Sequence, residues 1–117
     1  MPAPIVYFDI AGPADAKQAA FYEKIFGWTA GPGGVVAVPV AGPRLPGTLR
    51  TDPAAKVIYI GVQDVAATLA EIAQSGGKVV TPRFEVKNVV VLGLFNDPAG
   101  NTMGLVELTA EGKTKIP

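Results

Sequence analysis

Twice along the chain, a run of alternating or β-branched apolar residues is followed by an Asp and then by a segment with helical spacing that ends in Gly. The first copy runs from Ile5-Val6-Tyr7-Phe8-Asp9-Ile10 through Asp15 to Gly27, the second from Val57-Ile58-Tyr59-Ile60-Gly61-Val62 through Asp64 to Gly76. In the first helix Asp15 stands at the N-cap, Gln18 closes a capping box, and Phe21, Ile25 and Phe26 form an apolar face, so the pattern predicts a helix over about Asp15 to Phe26. In the second, Asp64 caps, Val65, Leu69 and Ile72 fall on one face, and Gly76-Gly77 stop it.

After each helix come Val-rich runs: Val35 to Val40, Lys78 to Thr81, Val89 to Phe95 and Thr102 to Leu108. The last two are separated by Asn96-Asp97-Pro98-Ala99-Gly100-Asn101, a hairpin connection. Pro39 places its strand at an edge or at a bulge. Ala41 to Ala55 is the least regular stretch, with Thr48-Leu49-Arg50 as a short strand, and residues 109–117 read as a loose tail. The repeating unit is therefore β-α-β-β-β, made twice. The class is α+β: two βαβββ modules, about 3–50 and 56–108, forming a cupped, partly open mixed sheet with helices on its outer face, within one domain over 1–117.

The alternation also sorts the candidate chemistry. Val6, Phe8 and Ile10, with Ile58, Ile60 and Val62, form aliphatic and Phe faces that belong under the helices. Ile5, Tyr7 and Asp9, with Val57, Tyr59 and Gly61, then face the cup. Tyr7, Asp9 and Tyr59 there offer stacking and hydrogen bonds to a ligand, or else the rings fill the cup and Asp9 is solvated at a strand end. Arg50 and Glu85 are possible polar partners for Asp9. Arg44, Arg50 and Arg83 lie on irregular or edge segments where a guanidinium could receive a carboxylate or phosphate, or serve solubility. Trp28 is either a pocket wall or a core or interface aromatic. Asp97, Pro98, Gly100 and Asn101 have the chemistry of a turn.

Composition removes whole classes of function. Across 117 residues there is no His and no Cys, which excludes thiol nucleophiles, disulfides and imidazole or thiolate metal sites. Ten basic and ten acidic residues give zero formal charge, so no nucleic-acid or anionic-membrane footprint is expected. No run approaches the roughly 18 apolar residues of a membrane span. The N-terminus has no basic segment and leads straight into a strand pattern, which predicts a cytoplasmic protein without a signal peptide. An apolar content of 49% with 17% charged residues suggests a well-filled core or a buried subunit interface, and a symmetric homodimer is expected.

The opening strand followed by Phe21-Tyr22-Glu23-Lys24-Ile25-Phe26-Gly27-Trp28 resembles the start of vicinal-oxygen-chelate proteins, the glyoxalase/bleomycin-resistance/dioxygenase superfamily. Val62-Gln63-Asp64-Val65-Ala66-Ala67 with Ser75-Gly76-Gly77-Lys78-Val79 resembles it as well, and so does Phe95-Asn96-Asp97-Pro98-Ala99-Gly100-Asn101. The likeness covers about residues 5 to 108. It implies the βαβββ fold, a dimer and a divalent metal held by His and Glu. The ligand positions that it implies fall on Ile5 or Tyr7, on Val57 or Tyr59, and on Gly104, none of them a good donor. Glu107 has the opposite strand parity from Gly104 and is no obvious substitute. The sequence thus predicts a small, partly apolar molecule bound without metal or cofactor, with Tyr7, Asp9, Tyr59, Trp28, Arg50 and Glu85 as ligand-binding candidates. The alternative is a metal-dependent lyase, isomerase or dioxygenase that uses carboxylates such as Asp9 or Glu85.

Overall fold

The computed structural model describes residues 2–40 and 42–117, and for residues 42–44 the backbone only. Seven strands and two α-helices follow in the order β1 (Ile5–Gly12), α1 (Gln18–Phe26), β2 (Val35–Val40), β3 (Gly42–Thr51), β4 (Ala55–Val62), α2 (Val65–Gln74), β5 (Lys78–Val86), β6 (Val90–Asn96) and β7 (Thr102–Glu107). The class is α+β, as the periodicity predicts. Two compact units divide the chain, Tyr7–Ile58 and Met1–Val6 with Tyr59–Pro117. The first residues of the chain therefore pack with the C-terminal unit, where the Gly61 amide donates to the Pro4 carbonyl.

In the C-terminal unit the strand order is β4-β7-β6-β5. β4 and β7 are parallel, with Tyr59 opposite Gly104 and Val62 opposite Glu107; β7–β6 and β6–β5 are antiparallel. The helix α2 begins where Asp64 predicts, since its Oδ1 accepts the Ala67 amide at 2.9 Å. Val65 and Leu69 from α2 pack with Phe95 and Leu105, flanked by Ile60, Val62, Ile72 and Met103. Burying four such side chains contributes on the order of 2 kcal/mol each. Close approach of α2 requires Gly93, where a Cβ would come within 2.8 Å of Val65 Cγ1.

The N-terminal unit is ordered β2-β3-β1, with β3 parallel to β1 and antiparallel to β2. Val36, Val38 and Leu49 form its core with Phe8, Ile10, Tyr22, Trp28 and Ala30. It is βαββ, one strand short of the expected unit. The stretch that would supply the strand after α1 holds Gly31-Pro32-Gly33-Gly34, folded as a short 3-10 turn with Gly33 at φ 71° and Gly34 at φ 78°. Such a sequence gives up ladder donors and extended conformation together.

Three local expectations are corrected. Asp15 caps no helix: it sits in a 3-10 turn over Ala14–Ala16, Lys17 breaks the spiral at φ 51°, and α1 starts at Gln18, whose side chain donates to the Ile10 carbonyl at 3.0 Å instead of closing a capping box. Of the stretch expected to be least regular, Ala41 lies outside the described residues, and Gly42–Thr51 is a ten-residue strand that extends the expected Thr48-Leu49-Arg50. Its prolines are tolerated because β1 pairs only with Gly47–Thr51, beyond Pro46. The tail is also tied down: the Lys115 amide donates to Glu107, Thr109 and Lys113 pair, and the Pro117 carbonyl accepts from Asn88. Pro39 does mark a bulge, between Val38 and Val40, and Asp97 holds the β6–β7 turn through the Ala99 and Asn101 amides.

Candidate functional site

Strand register brings four polar side chains to one face of the N-terminal unit, the face opposite Phe8, Ile10 and Leu49. Asp9 lies opposite Thr48 and Ala11 opposite Arg50, so Tyr7 and Asp9 of β1 share this face with Thr48 and Arg50 of β3. The Tyr7 and Thr48 hydroxyls hydrogen-bond to each other. Arg50 Nε donates to Asp9 Oδ2 at 2.8 Å, and Arg50 Nη1 donates to Asp52 just past the strand end. Asp9 is 4% exposed, and its Oδ1 is buried with no hydrogen-bond partner among the described residues. Burial works against charge on Arg50, but its bonds to Asp9 and Asp52 outweigh burial and raise the guanidinium pKa.

A second arginine–carboxylate group lies in the C-terminal unit, on the side that carries α2. Glu107 is also 4% exposed. Arg83 grips it with two bonds, Nε to Oε2 at 3.0 Å and Nη2 to Oε1 at 2.8 Å, the Val65 amide at the start of α2 donates to Oε2 at 2.9 Å, and Lys115 Nζ stands 3.3 Å from Oε1. Chiefly through Arg83, and against the opposing effect of burial, the carboxyl pKa is held down to about 2. Every oxygen here is satisfied, and the group joins β5, β7, α2 and the C-terminal segment. Its geometry is that of a structural staple.

The candidates scatter. Tyr7, Asp9 and Arg50 converge, and Asp9 takes Arg50 as its partner. Trp28 does not join them: it stacks on Tyr22 with centroids 5.2 Å apart and tilts against Phe8, in the core beneath α1. Glu85, in the other unit, has Arg83 as its charged neighbour at 3.6 Å. Tyr59 lies over Gly104, where a Cβ would overlap its ring, just as a Cβ at Gly47 would overlap the Phe8 ring. The two modules thus repeat one device, an aromatic of the first strand laid across a Gly of the last. The Arg44 side chain is outside the described residues. Thr48, within the expected short strand Thr48-Leu49-Arg50, and Asp52, just beyond it, stand out by no local motif; their bonds to Tyr7 and Arg50 follow only from the fold.

No protein-family model matches the sequence. Over 113 residues the chain is 31% identical to the glyoxylase-named protein CFP32 of Mycobacterium bovis, an alignment covering 85% of this chain and 43% of that one. Against the anthracycline biosynthesis protein DnrV of Streptomyces peucetius it is 30% identical over 123 residues, covering 85% and 45%. The solved structure of methylmalonyl-CoA epimerase with methylmalonyl-CoA and NH4+ superposes with a TM-score of 0.65 at 18% identity, covering 98% of this chain and 100% of that one. The chain belongs to the vicinal-oxygen-chelate superfamily. It spans less than half the length of the curated relatives it matches. Within this superfamily member, the residues present do not fit the metal that the fold implies. Gly104 brings no donor, Asp9 and Glu107 are engaged by arginines, and among the described residues no group of three or more His, Cys, Asp or Glu could hold an ion. Among the described residues no helix is long and apolar enough to cross a membrane.

Proposed function

We propose that the chain binds a small, partly apolar molecule on the face of its N-terminal unit that carries Tyr7, Asp9, Thr48 and Arg50, with no metal centre. The observation that carries this reading is Asp9, a buried carboxylate with one oxygen paired to Arg50 and the other unpartnered among the described residues. An unsatisfied buried acceptor costs roughly 1–3 kcal/mol, a cost that marks the Asp9–Arg50 pair as more than a structural bond, and Arg50 is the member of the pair that reaches solvent. Ring faces and hydroxyls beside it suit a ligand that is only partly polar. Support also comes from two solved neighbours of the fold, one holding methylmalonyl-CoA and the other 2-nitronate-propionyl-CoA. The donor set argues for recognition by side chains rather than by chelation.

Elemental analysis of the purified protein, combined with thermal shifts against Mn²⁺, Ni²⁺, Zn²⁺ and Fe²⁺, tests the reading. Substoichiometric metal and unchanged melting are expected. One bound equivalent of a divalent ion, or a clear metal-dependent stabilisation, contradicts it.

A further inference from the structure

Among the described residues two buried carboxylates are gripped by arginines, and they differ in a way that assigns them different work. Glu107 receives both prongs of Arg83 and has no oxygen unsatisfied. Asp9 receives only Nε of Arg50, while the far end of the same guanidinium turns away to Asp52; Nη2, lying between, is bonded to neither carboxylate. A purely structural pair would close the fork, as Arg83 does, since bidentate geometry is the stronger arrangement. Instead the Arg50 side chain is 42% exposed and ends on Asp52, which is 50% exposed.

Resting on the small-molecule reading above, we propose that Arg50 is the receptor for a carboxylate on the ligand, and that Asp52 occupies this place from within the chain until the ligand arrives. Asp9 anchors the inner edge of the guanidinium and fixes its plane. The outer edge, with Nη1 and Nη2, then presents two donors to a planar anion. Asp52 is a weak competitor, because an exposed ion pair contributes little and is screened by salt. A ligand carboxylate meeting both outer nitrogens displaces it without disturbing the buried Asp9 contact. Exchange of one carboxylate for another leaves the charge at Arg50 balanced in both states.

The test uses phenylacetate and its neutral isostere phenylacetamide, titrated into isotopically labelled protein and followed by amide chemical shifts. Wild type is expected to bind phenylacetate at least about five-fold more tightly than the amide. Asp52→Asn, at an exposed position, should tighten phenylacetate binding by about two- to five-fold and leave the amide unaffected. Arg50→Gln, with a folded spectrum as its control, should abolish the preference. Equal binding of both probes to wild type overturns this inference and leaves the small-molecule reading standing. An Asp52→Asn protein that binds phenylacetate no better than wild type also overturns it. Absence of binding by either probe at millimolar concentration overturns both.

Discussion

Replacing Glu107 by Gln removes the one charge on which Arg83, Lys115 and the first amide of α2 converge, and the structure sets the size of the effect. The carboxyl moves from an ordinary 4.5 to about 2 on folding. At about 1.4 kcal/mol per pH unit, that gap corresponds to about 3 kcal/mol. Arg83 is 30% exposed and regains water when its partner goes, so the net cost should be about 2 kcal/mol. For a chain of this size that lowers the melting temperature by about 8–10 °C. The sign follows from a depressed folded-state pKa: the stabilisation is fully present above pH 4.5 and is lost as pH falls toward 2. Urea unfolding of wild type and Glu107→Gln from pH 7 down to 2 should therefore show the largest difference at neutral pH, closing through the acid range. A difference below about 0.5 kcal/mol at pH 7, or one that stays constant down to pH 2, refutes the staple assignment.

Gly104→Ala should cost about 1–3 kcal/mol by overpacking against Tyr59, and Tyr59→Ala in the same chain should recover part of it; additive losses in a double-mutant cycle contradict the contact. Asp64→Ala should lose about 1 kcal/mol of stability in denaturant unfolding through the missing bond to the Ala67 amide, with Asp64→Asn close to neutral. Sedimentation equilibrium at micromolar concentration should give a homodimer, because Phe21, Ile25 and Phe26 on α1 are 53–58% exposed, and a 12.0 kDa species throughout refutes it.

The parts of this fold legible in the sequence are those where one local rule acts alone. Asp64 caps α2, Gly27 ends α1 at φ 74°, and Asp97 organises the β6–β7 turn, each through bonds within a few residues. What local pattern misses is set by pairing across the chain. Within Gly42–Thr51 only Thr48-Leu49-Arg50 reads as strand, because Pro43, Pro46 and Gly47 interrupt what precedes it, yet β1 on one side and β2 on the other hold the longer segment extended. With the pairing hidden, the contacts of Thr48 with Tyr7 and of Asp52 with Arg50 were hidden too, and Arg50 was one of three arginines without a placed partner. Strand parity found Tyr7 and Asp9 and excluded Glu107 from their role, but parity cannot show that Arg83 and Lys115, distant in sequence, make Glu107 a staple. The same limit explains Trp28, whose stacking on Tyr22 depends on how the chain leaves α1.

The account rests on the Tyr7–Asp9–Thr48–Arg50 face binding a small molecule without metal, and one measurement addresses it most directly: an amide chemical-shift titration of chelator-treated protein with a panel of small, partly apolar acids and amides. Saturable shifts are expected to concentrate on residues 7–11 of β1, residues 48–51 of β3 and Asp52 in metal-free buffer. Shifts that map elsewhere, or that arise only when a divalent metal is restored, contradict it.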